Sequence, residues 1–385
     1  MPGFFDKLFH SFDQRTPIPP GFLSYHTKPE DPLQYRLHLR VEPDGDGVLI
    51  LNASSILHLN QTATEIAYYM MKGQTVDEIT ALISDRFSVK PELAKKDVQD
   101  FLAQIDSFIH AVDQNPNADF GFEKHLDTSG ISAPYRLDCC LTYRLEAAEQ
   151  GMDPHRSEDP LKTDEWKKII KKAYDAAIPH LVFYGGEPSL RDDLSELLSY
   201  CEELGLVSGL VSSGRKLLEP AYVEGLIASG LDHLMIPWVL HDTQMRQALD
   251  EILPMDLYTC INLPIQKDFD FIPLINELKG LGANAFSLAP VSEDDYEYFL
   301  ELCDYVEALD GVDLVQDMPL PVPAETFDRQ EDAQELNVDD SALTIMKVDA
   351  DGRLHMGFPP YSLIGSMLAD TWPKLWERCK RNASL

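Results

Sequence analysis

The sequence has little positive charge. It carries 32 lysine and arginine residues against 65 aspartate and glutamate residues, which gives a net charge of -33. A surface this acidic repels phosphate backbones, so nucleic-acid binding is not expected. It would favour a basic peptide as a partner. Equally, the charge could serve only solubility or reflect a salty cytoplasm, and both interpretations stay open.

Paired cysteines and long apolar runs are also missing. The six cysteines are scattered and none forms a Cys-x-x-Cys pair, which in a cytosolic chain indicates buried structural thiols. They are Cys139, Cys140, Cys201, Cys260, Cys303 and Cys379. No apolar run is long enough for a transmembrane segment. Residues 1–12 are amphipathic but lack the flanks of a secretory signal, so we expect a cytoplasmic protein whose start packs on the body or touches a membrane surface.

Two zones precede the middle of the chain. Residues 1–34 are rich in proline and polar residues and indicate an arm. Residues 35–112 form a compact unit, in which three strand-like stretches precede three helical patterns. The stretches are Tyr35–Val41, Val48–Leu51 and Ile56–Leu59. Asn60 or Thr62 can cap the first helix, Thr75 begins a capping box for the second, and the third runs from about Pro91 to Val112.

After a polar linker over residues 113–133, strand and helix patterns alternate to about residue 330. This alternation predicts a mostly parallel sheet, open or closed as a barrel. The candidate strands are Arg136–Tyr143, His180–Tyr184, Val207–Ser212, His233–Val239, Leu257–Asn262 and Ala285–Leu288. The candidate helices are Thr163–Ala176, Asp192–Leu204, Pro220–Ser229 and Phe271–Leu281.

The unit at residues 35–112 contains a sequence motif that matches a known type of domain. Leu57–Ala63, followed by Gly73 and Thr75–Ile79, resembles the PqqD-like domain, also called a precursor-peptide recognition element. The resemblance implies that an extended peptide adds to an open edge of the sheet, where backbone N–H and C=O groups are unpaired. The alternative is a small winged-helix-like module that only packs on its neighbour.

A second motif ends the candidate strand Leu181–Tyr184. Glycines at such a strand end let a ligand approach the backbone. The string Gly-Gly-Glu-Pro resembles the radical S-adenosylmethionine family, in which it holds the methionyl amino group of the cofactor. Ser212-Ser213-Gly214 matches a second cofactor-contacting string of that family. The resemblance therefore implies cofactor binding by Gly185, Gly186, Glu187, Pro188, Ser212, Ser213 and Gly214. Apart from the resemblance, the motif could be a tight strand-to-helix turn with proline at the start of the helix.

The chain departs from this family where the family's chemistry resides. Three cysteines after the first strand normally hold a 4Fe-4S cluster, and the matching positions here are Leu145, Glu149 and Met152. Adjacent Cys139 and Cys140 point to opposite faces of a strand, so at most one enters the barrel. We therefore assign no catalytic residue and no metal ligand. Glu146, Glu149 and His155 leave a hard-metal site as an alternative of little weight.

Two further regions depart in the same way. The fourth strand ends in Pro237-Trp238-Val239, where the family has polar residues that face the cofactor. Lys347–His355 predicts a hairpin that resembles the SPASM or twitch extension of peptide-modifying members. The best match to its cysteine is Gly357. We predict that the barrel mouth is partly filled by Leu145, Met152, Pro237, Trp238 and Val239, or by a re-routed loop.

The predicted fold is α/β. A partial (β/α)6 TIM-like barrel spans residues 134–330, between an N-terminal α+β winged-helix-like domain and a small C-terminal α+β extension at 331–385. The leading hypothesis is a peptide-binding pseudoenzyme, or a partner of an active radical enzyme. The first alternative is an active enzyme that binds S-adenosylmethionine and uses non-standard metal ligation or non-radical chemistry. The second is a scaffold whose peptide domain docks only within the chain. No cofactor is expected, and S-adenosylmethionine binding stays open.

Overall fold

The computed structural model describes residues 18–27, 31, 33, 35–52, 55–114, 131–145, 159–238, 242–315, 343–357 and 362–383. The side chains of residues 55, 108 and 111–114 are outside this description. The amphipathic start at residues 1–12 and most of the predicted linker lie outside it as well. The chain divides into two compact units, residues 1–122 and 123–385.

The first unit has a four-stranded antiparallel sheet whose strands pair in chain order. Its strands are β1 (Gly21–His26), β2 (Arg36–Val41), β3 (Gly47–Leu51) and β4 (Ser55–Leu59). The pattern predicted β2 to β4 but not β1, which lies within the expected arm. β1 pairs with β2 along its whole length, from Gly21 opposite Val41 to His26 opposite Arg36. The sheet therefore has one strand more than the sequence indicated.

Three helices pack on this sheet, and their starts follow the predicted caps. They are α1 (Gln61–Met71), α2 (Val76–Phe87) and α3 (Pro91–Gln114). The Asn60 side chain accepts the Ala63 N–H at 3.0 Å. Thr75 and Glu78 form a reciprocal capping box, in which the Thr75 N–H donates to the Glu78 carboxylate at 2.7 Å. One continuous apolar core joins the helices to the inward-facing residues of the strands.

The second unit has a ten-stranded sheet. Six parallel strands form its centre: β5 (Arg136–Thr142), β6 (His180–Gly185), β7 (Val207–Val211), β8 (His233–Pro237), β9 (Tyr258–Ile265) and β10 (Ala285–Pro290). The short β11 (Asp313–Leu314) lies beside β10. At the other side, β12 (Ile345–Val348) pairs in parallel with β5, followed by antiparallel β13 (Arg353–Met356) and β14 (Leu363–Ser366). Within the described residues the sheet does not close.

Each central strand is followed by a helix, so the predicted partial (β/α)6 fold is confirmed. The helices are α4 (Thr163–Asp175), α5 (Leu194–Leu204), α6 (Pro220–Ala228), α7 (Thr243–Ile252), α8 (Phe271–Leu281) and α9 (Tyr296–Glu307). A last helix, α10 (Trp372–Ala383), follows the C-terminal hairpin. Within the described ranges, none of the helices of either unit has the length and apolar content needed to cross a membrane.

One face of the central strands holds an apolar cluster that includes Cys140, Tyr184, Val211, Met235 and Cys260. Cys139 is absent from this cluster, in agreement with the opposite faces predicted for the two cysteines. All six cysteines are buried and unbridged, so the prediction of structural thiols is confirmed.

The same side of the sheet carries buried polar groups near the strand starts. Arg136 and Asp138 form an ion pair at 2.8 Å, and both are at least nine-tenths buried. Nε2 of His180 lies 3.2 Å from Nε2 of His233. Gly209 makes room for this pair, since a Cβ at that position would lie 2.0 Å from the His233 ring.

The C-terminal segment is an integral part of the second unit. The predicted hairpin is present, and its turn is closed by the Gly352 N–H, which donates to the Asp349 carbonyl at 2.9 Å. The indole N–H of Trp376 donates to the Ile131 carbonyl at 3.1 Å, and that of Trp372 to Ser132 at 3.2 Å. The last residues of the predicted linker are thus held against α10.

Candidate functional site

The Gly-Gly-Glu-Pro string lies at the end of β6, against the end of β5. Gly185 has a φ of +138°, and a Cβ there would lie 2.4 Å from the Thr142 carbonyl oxygen. A Cβ on Gly186 would lie 2.1 Å from the Arg144 carbonyl oxygen. We expected these glycines to admit a ligand. The close approach observed is that of the chain itself, because the Gly186 N–H donates to Thr142 at 2.9 Å and the Glu187 N–H to Arg144 at 2.7 Å.

The Glu187 carboxylate joins the ends of β6 and β7. It is 3% exposed and accepts three hydrogen bonds. Oε1 accepts the Ser212 hydroxyl at 2.7 Å and the Ser189 N–H at 2.9 Å, and Oε2 accepts the Ser213 N–H at 3.2 Å. Burial raises the pKa of this carboxyl, and the hydrogen bonds oppose the rise. The buried carboxylate therefore links the two strand ends, and both of its oxygens accept hydrogen bonds from the chain itself.

The remaining residues of the two strings complete this junction. Pro188 begins a short 3-10 helix that ends at Leu190. The Gly214 N–H donates to the Ser212 hydroxyl at 3.2 Å, and a Cβ on Gly214 would lie 2.5 Å from Ser189 Oγ. All seven residues predicted from the two strings thus lie at one place, at the carboxyl ends of neighbouring parallel strands.

Two arginines that the sequence analysis missed hold the turn from outside. The Arg144 guanidinium donates to the Leu190 carbonyl at 2.6 Å and pairs with Asp159 at 2.9 Å. Arg191 donates to the Leu141 carbonyl at 3.1 Å and pairs with Asp193 at 2.7 Å. Neither residue belongs to a motif, so no sequence signal could have placed it. Both fix the start of the loop that follows β5.

That loop contains the three positions where the family has cysteines. Leu145 is half-buried and offers only hydrocarbon, while Glu149 and Met152 lie outside the described residues, as do Glu146 and His155. Cys140 lies nearby on β5. Its thiol donates to the Thr142 carbonyl at 3.5 Å, and burial raises its pKa to about 12, so it stays protonated. In the described ranges, no three His, Cys, Asp or Glu side chains meet in a metal-binding arrangement. The donors that the described residues offer beside this loop do not fit a 4Fe-4S cluster.

The other two departures have local structural accounts. Trp238 follows β8 with its ring buried, and its backbone N–H donates to the Asn262 carbonyl at 2.8 Å. Its indole N–H has no partner among the described residues, and Val239 lies outside them. Filling of the barrel mouth stays a prediction. Gly357 follows β13, and a Cβ there would lie 2.2 Å from the Ile345 carbonyl oxygen, so a cysteine would not fit without a backbone shift.

Comparison with known proteins assigns the first unit and the overall fold. Residues 47–107 match the family model of coenzyme PQQ synthesis protein D, PqqD. The chain shares its fold with SuiB. The crystal structure of Streptococcus suis SuiB aligns with a TM-score of 0.55 at 15% identity, over 88% of this chain and 86% of SuiB. With SuiB bound to S-adenosylmethionine the TM-score is 0.58 at 14% identity, over 92% and 88%.

A third structure, SuiB bound to the precursor peptide SuiA, aligns with a TM-score of 0.54 at 14% identity. It covers 88% of this chain and 86% of that one. Both units of the chain are therefore present in SuiB. The fold implied by the two sequence resemblances is confirmed.

Proposed function

We propose that this chain is a peptide-binding relative of radical S-adenosylmethionine enzymes that does not carry out their chemistry, and that it assists an active enzyme of that kind. The observation that carries the proposal is the combination of a PqqD-type unit with a loop whose cluster positions are Leu145, Glu149 and Met152. Without thiolates at these three positions, the loop cannot hold the cluster that would supply the electron for breaking the cofactor's carbon–sulfur bond.

The proposed peptide site is the outer edge of β4. β1 pairs with β2, so the chain itself occupies the outer edge of β2, and the sheet ends at β1 and β4. We choose the edge of β4 because the match to the PqqD family model includes β4 and not β1. On the other side, β4 pairs with β3 and with no further strand among the described residues. An extended peptide can add there through main-chain hydrogen bonds. The structure of SuiB with its precursor peptide supports this type of ligand.

The retention of Gly-Gly-Glu-Pro has an explanation that needs no cofactor. Gly185 and Gly186 leave room for the backbone at the end of β5, where a Cβ would clash. Glu187 accepts hydrogen bonds from Ser212 and Ser213 of its own chain. A protein that had lost the cluster would still need these residues to fold. Their presence therefore agrees with the proposal.

Anaerobic reconstitution with iron and sulfide tests the loss of chemistry. We expect no 4Fe-4S absorption band and no cleavage of S-adenosylmethionine, with an active radical S-adenosylmethionine enzyme reconstituted in parallel as the positive control. A triple variant with cysteine at positions 145, 149 and 152 asks whether these three positions alone account for the loss. A cluster and cofactor cleavage in the unmodified chain would overturn the proposal.

A peptide of alternating lysine and valine tests the binding step. Fluorescence anisotropy should detect binding to the full chain, because the probe is basic and extended. The matched control carries N-methyl groups on every second residue, which removes the donors along one edge and should abolish binding by strand addition. Equal binding of both probes would point to charge alone and contradict the proposed site.

A second candidate is an active enzyme that still binds S-adenosylmethionine. The assembly of Glu187 with Ser212, Ser213 and Gly214 at one strand end favours it. Calorimetry with S-adenosylmethionine separates the two candidates, since absence of measurable binding removes this one. The scaffold alternative gains if deletion of residues 35–112 leaves partner binding unchanged.

A further inference from the structure

A groove on the second unit is lined by lysines, although the chain as a whole is strongly acidic. It has a volume of about 760 Å³ and lies between α4, Tyr200 of α5 and the segment at 368–373 that leads into α10. Its lining includes Lys167, Lys168, Lys171 and Lys172, against the carboxylates of Asp175 and Asp370. The side chains that line the groove therefore have a net charge of about two positive units, in a protein whose net charge is -33, while Glu196, Asp164 and Glu203 lie near Lys167 outside the lining.

The arrangement of these lysines stabilises the helix that carries them only in part. Lys167 and Lys171 are four residues apart, as are Lys168 and Lys172, and like charges at that spacing destabilise a helix by about 0.2–0.5 kcal/mol per pair. α4 is anchored instead by its buried face, which consists of Trp166, Ile169, Ile170 and Ala173. On the other side of the balance, the pair of Lys171 with Asp175 and the position of Lys172 in the last turn favour the helix.

One wall of the groove is fixed by hydrogen bonds. The Lys172 ammonium donates to the carbonyls of Met367 and Asp370, the latter at 2.6 Å. The Asp370 carboxylate accepts the Ser366 N–H at 3.1 Å and pairs with Arg378 at 3.2 Å. Asp370 is thus held toward the hairpin and α10. The wall is in place before any ligand arrives.

The other lysines retain capacity for an anionic ligand. Lys168 is exposed and has no acidic partner among the described residues. Lys167 pairs with Glu196 at 2.6 Å and lies 5.4 Å from the centre of the Tyr200 ring. Lys171 pairs with the exposed Asp175. Such solvent-exposed pairs are weak and can exchange partners at little cost.

We infer that this groove docks an acidic segment of a partner protein in extended conformation. Flexible ammonium groups spread along an open groove suit several carboxylates along a chain, whereas they provide no fixed donor set for one small anion. Apolar side chains at one end, Leu368, Trp372 and Pro373, suit an apolar residue within the acidic segment. This inference stands independently of the proposed function, because the peptide edge of β4 belongs to the other unit and favours a ligand of opposite charge.

The test uses the full chain and a fluorescein-labelled peptide of glutamate interspersed with leucine. We expect binding that weakens about tenfold or more when the salt concentration rises from about 0.05 to 0.5 M. The variant K168E should bind about fivefold more weakly, and K168E/K171E more weakly still. The matched control K267E changes an exposed lysine that follows β9 and should bind like the unmodified chain.

Three outcomes would overturn the inference. The acidic peptide would fail to bind at low salt, K267E would weaken peptide binding as much as K168E does, or inorganic phosphate at equal charge concentration would displace the peptide completely. A groove that joins two copies of this chain predicts instead that K168E shifts the sedimentation coefficient. That result would replace a partner protein by a second copy as the occupant. Unfolding midpoints of the variants, which should match the unmodified chain, exclude misfolding as the cause of weaker binding.

Discussion

The imidazole rings of His180 and His233 meet inside the second unit, with their Nε2 atoms 3.2 Å apart. One ring must donate and the other accept, so the pair is held by a single shared proton. Burial, together with the positive charge of Arg136, lowers the pKa of His233 to about 4. Arg136 in turn pairs with Asp138 at 2.8 Å. His233 is therefore neutral in the folded protein at neutral pH.

This lowered pKa makes stability depend on pH. The unfolded chain binds a proton at His233 below pH 6.5, whereas the folded chain binds it only near pH 4, so stabilisation present above pH 6.5 is lost as the pH falls to 4. We expect the unmodified chain to lose about 3 kcal/mol more than His233→Gln between pH 7 and pH 4. Urea unfolding followed by tryptophan fluorescence measures this. The exposed His110→Gln serves as control, and identical pH profiles for unmodified chain and His233→Gln would contradict the prediction.

Gly209 is coupled to the same histidine. Gly209→Ala places a methyl group 2.0 Å from the His233 ring and should destabilise the second unit by about 1–3 kcal/mol. In a His233→Ala background the same change should be nearly neutral, so a double-mutant cycle gives the coupling directly. Gly225→Ala on α6 meets no neighbour within 4 Å and should be neutral or stabilising by up to about 1 kcal/mol. Equal effects at the two glycines would refute the steric account.

Glu187 should be important for stability whether or not a cofactor binds. Glu187→Gln turns an amide NH2 toward one of the two N–H donors from Ser189 and Ser213, and we expect a loss of about 2 kcal/mol. Ser212→Ala removes one donor and should cost about 1 kcal/mol. Glu224→Gln, on the exposed side of α6, is the control for loss of a carboxylate. Stability of Glu187→Gln equal to that of the control would show that the junction contributes nothing.

The cysteines should be unreactive until the protein unfolds. All six are buried, and burial raises the pKa of the Cys140 and Cys379 thiols to about 12. We expect a colourimetric thiol reagent at neutral pH to label none of them within minutes, and all six in concentrated guanidinium. A thiol that labels rapidly in the native protein would be a candidate metal ligand, and it would weaken the proposed loss of cluster chemistry.

The local elements could be predicted because each carries its own signal. The periodicity of apolar residues gave the six central strands to within three residues at each end, and Thr75 with Glu78 marked the start of α2. β1 carried no such signal, since its six residues alternate only weakly and none is buried. Its existence depends on pairing with β2, which a local pattern cannot report.

The sequence predicted which residues form the candidate site, but not which atoms those residues contact. The two strings identified Gly185 to Pro188 and Ser212 to Gly214, and parallel strands necessarily bring their carboxyl ends together. That the space beside Gly186 is taken by the Arg144 carbonyl depends on how closely two strands approach, to within a few tenths of an ångström. Sequence spacing holds no information at that scale.

The parallel pairing of β12 with β5 has a consequence for synthesis of the chain. Ile345 lies opposite Arg136, about two hundred residues earlier in the sequence. During translation β5 therefore waits with one edge unpaired while the other five central strands leave the ribosome, and at roughly 5–20 residues per second this lasts ten seconds or more. Contacts so distant in sequence also slow the final folding step. Nascent chains halted before residue 345 should accordingly recruit chaperones, and the release of these chaperones should coincide with emergence of the C-terminal hairpin.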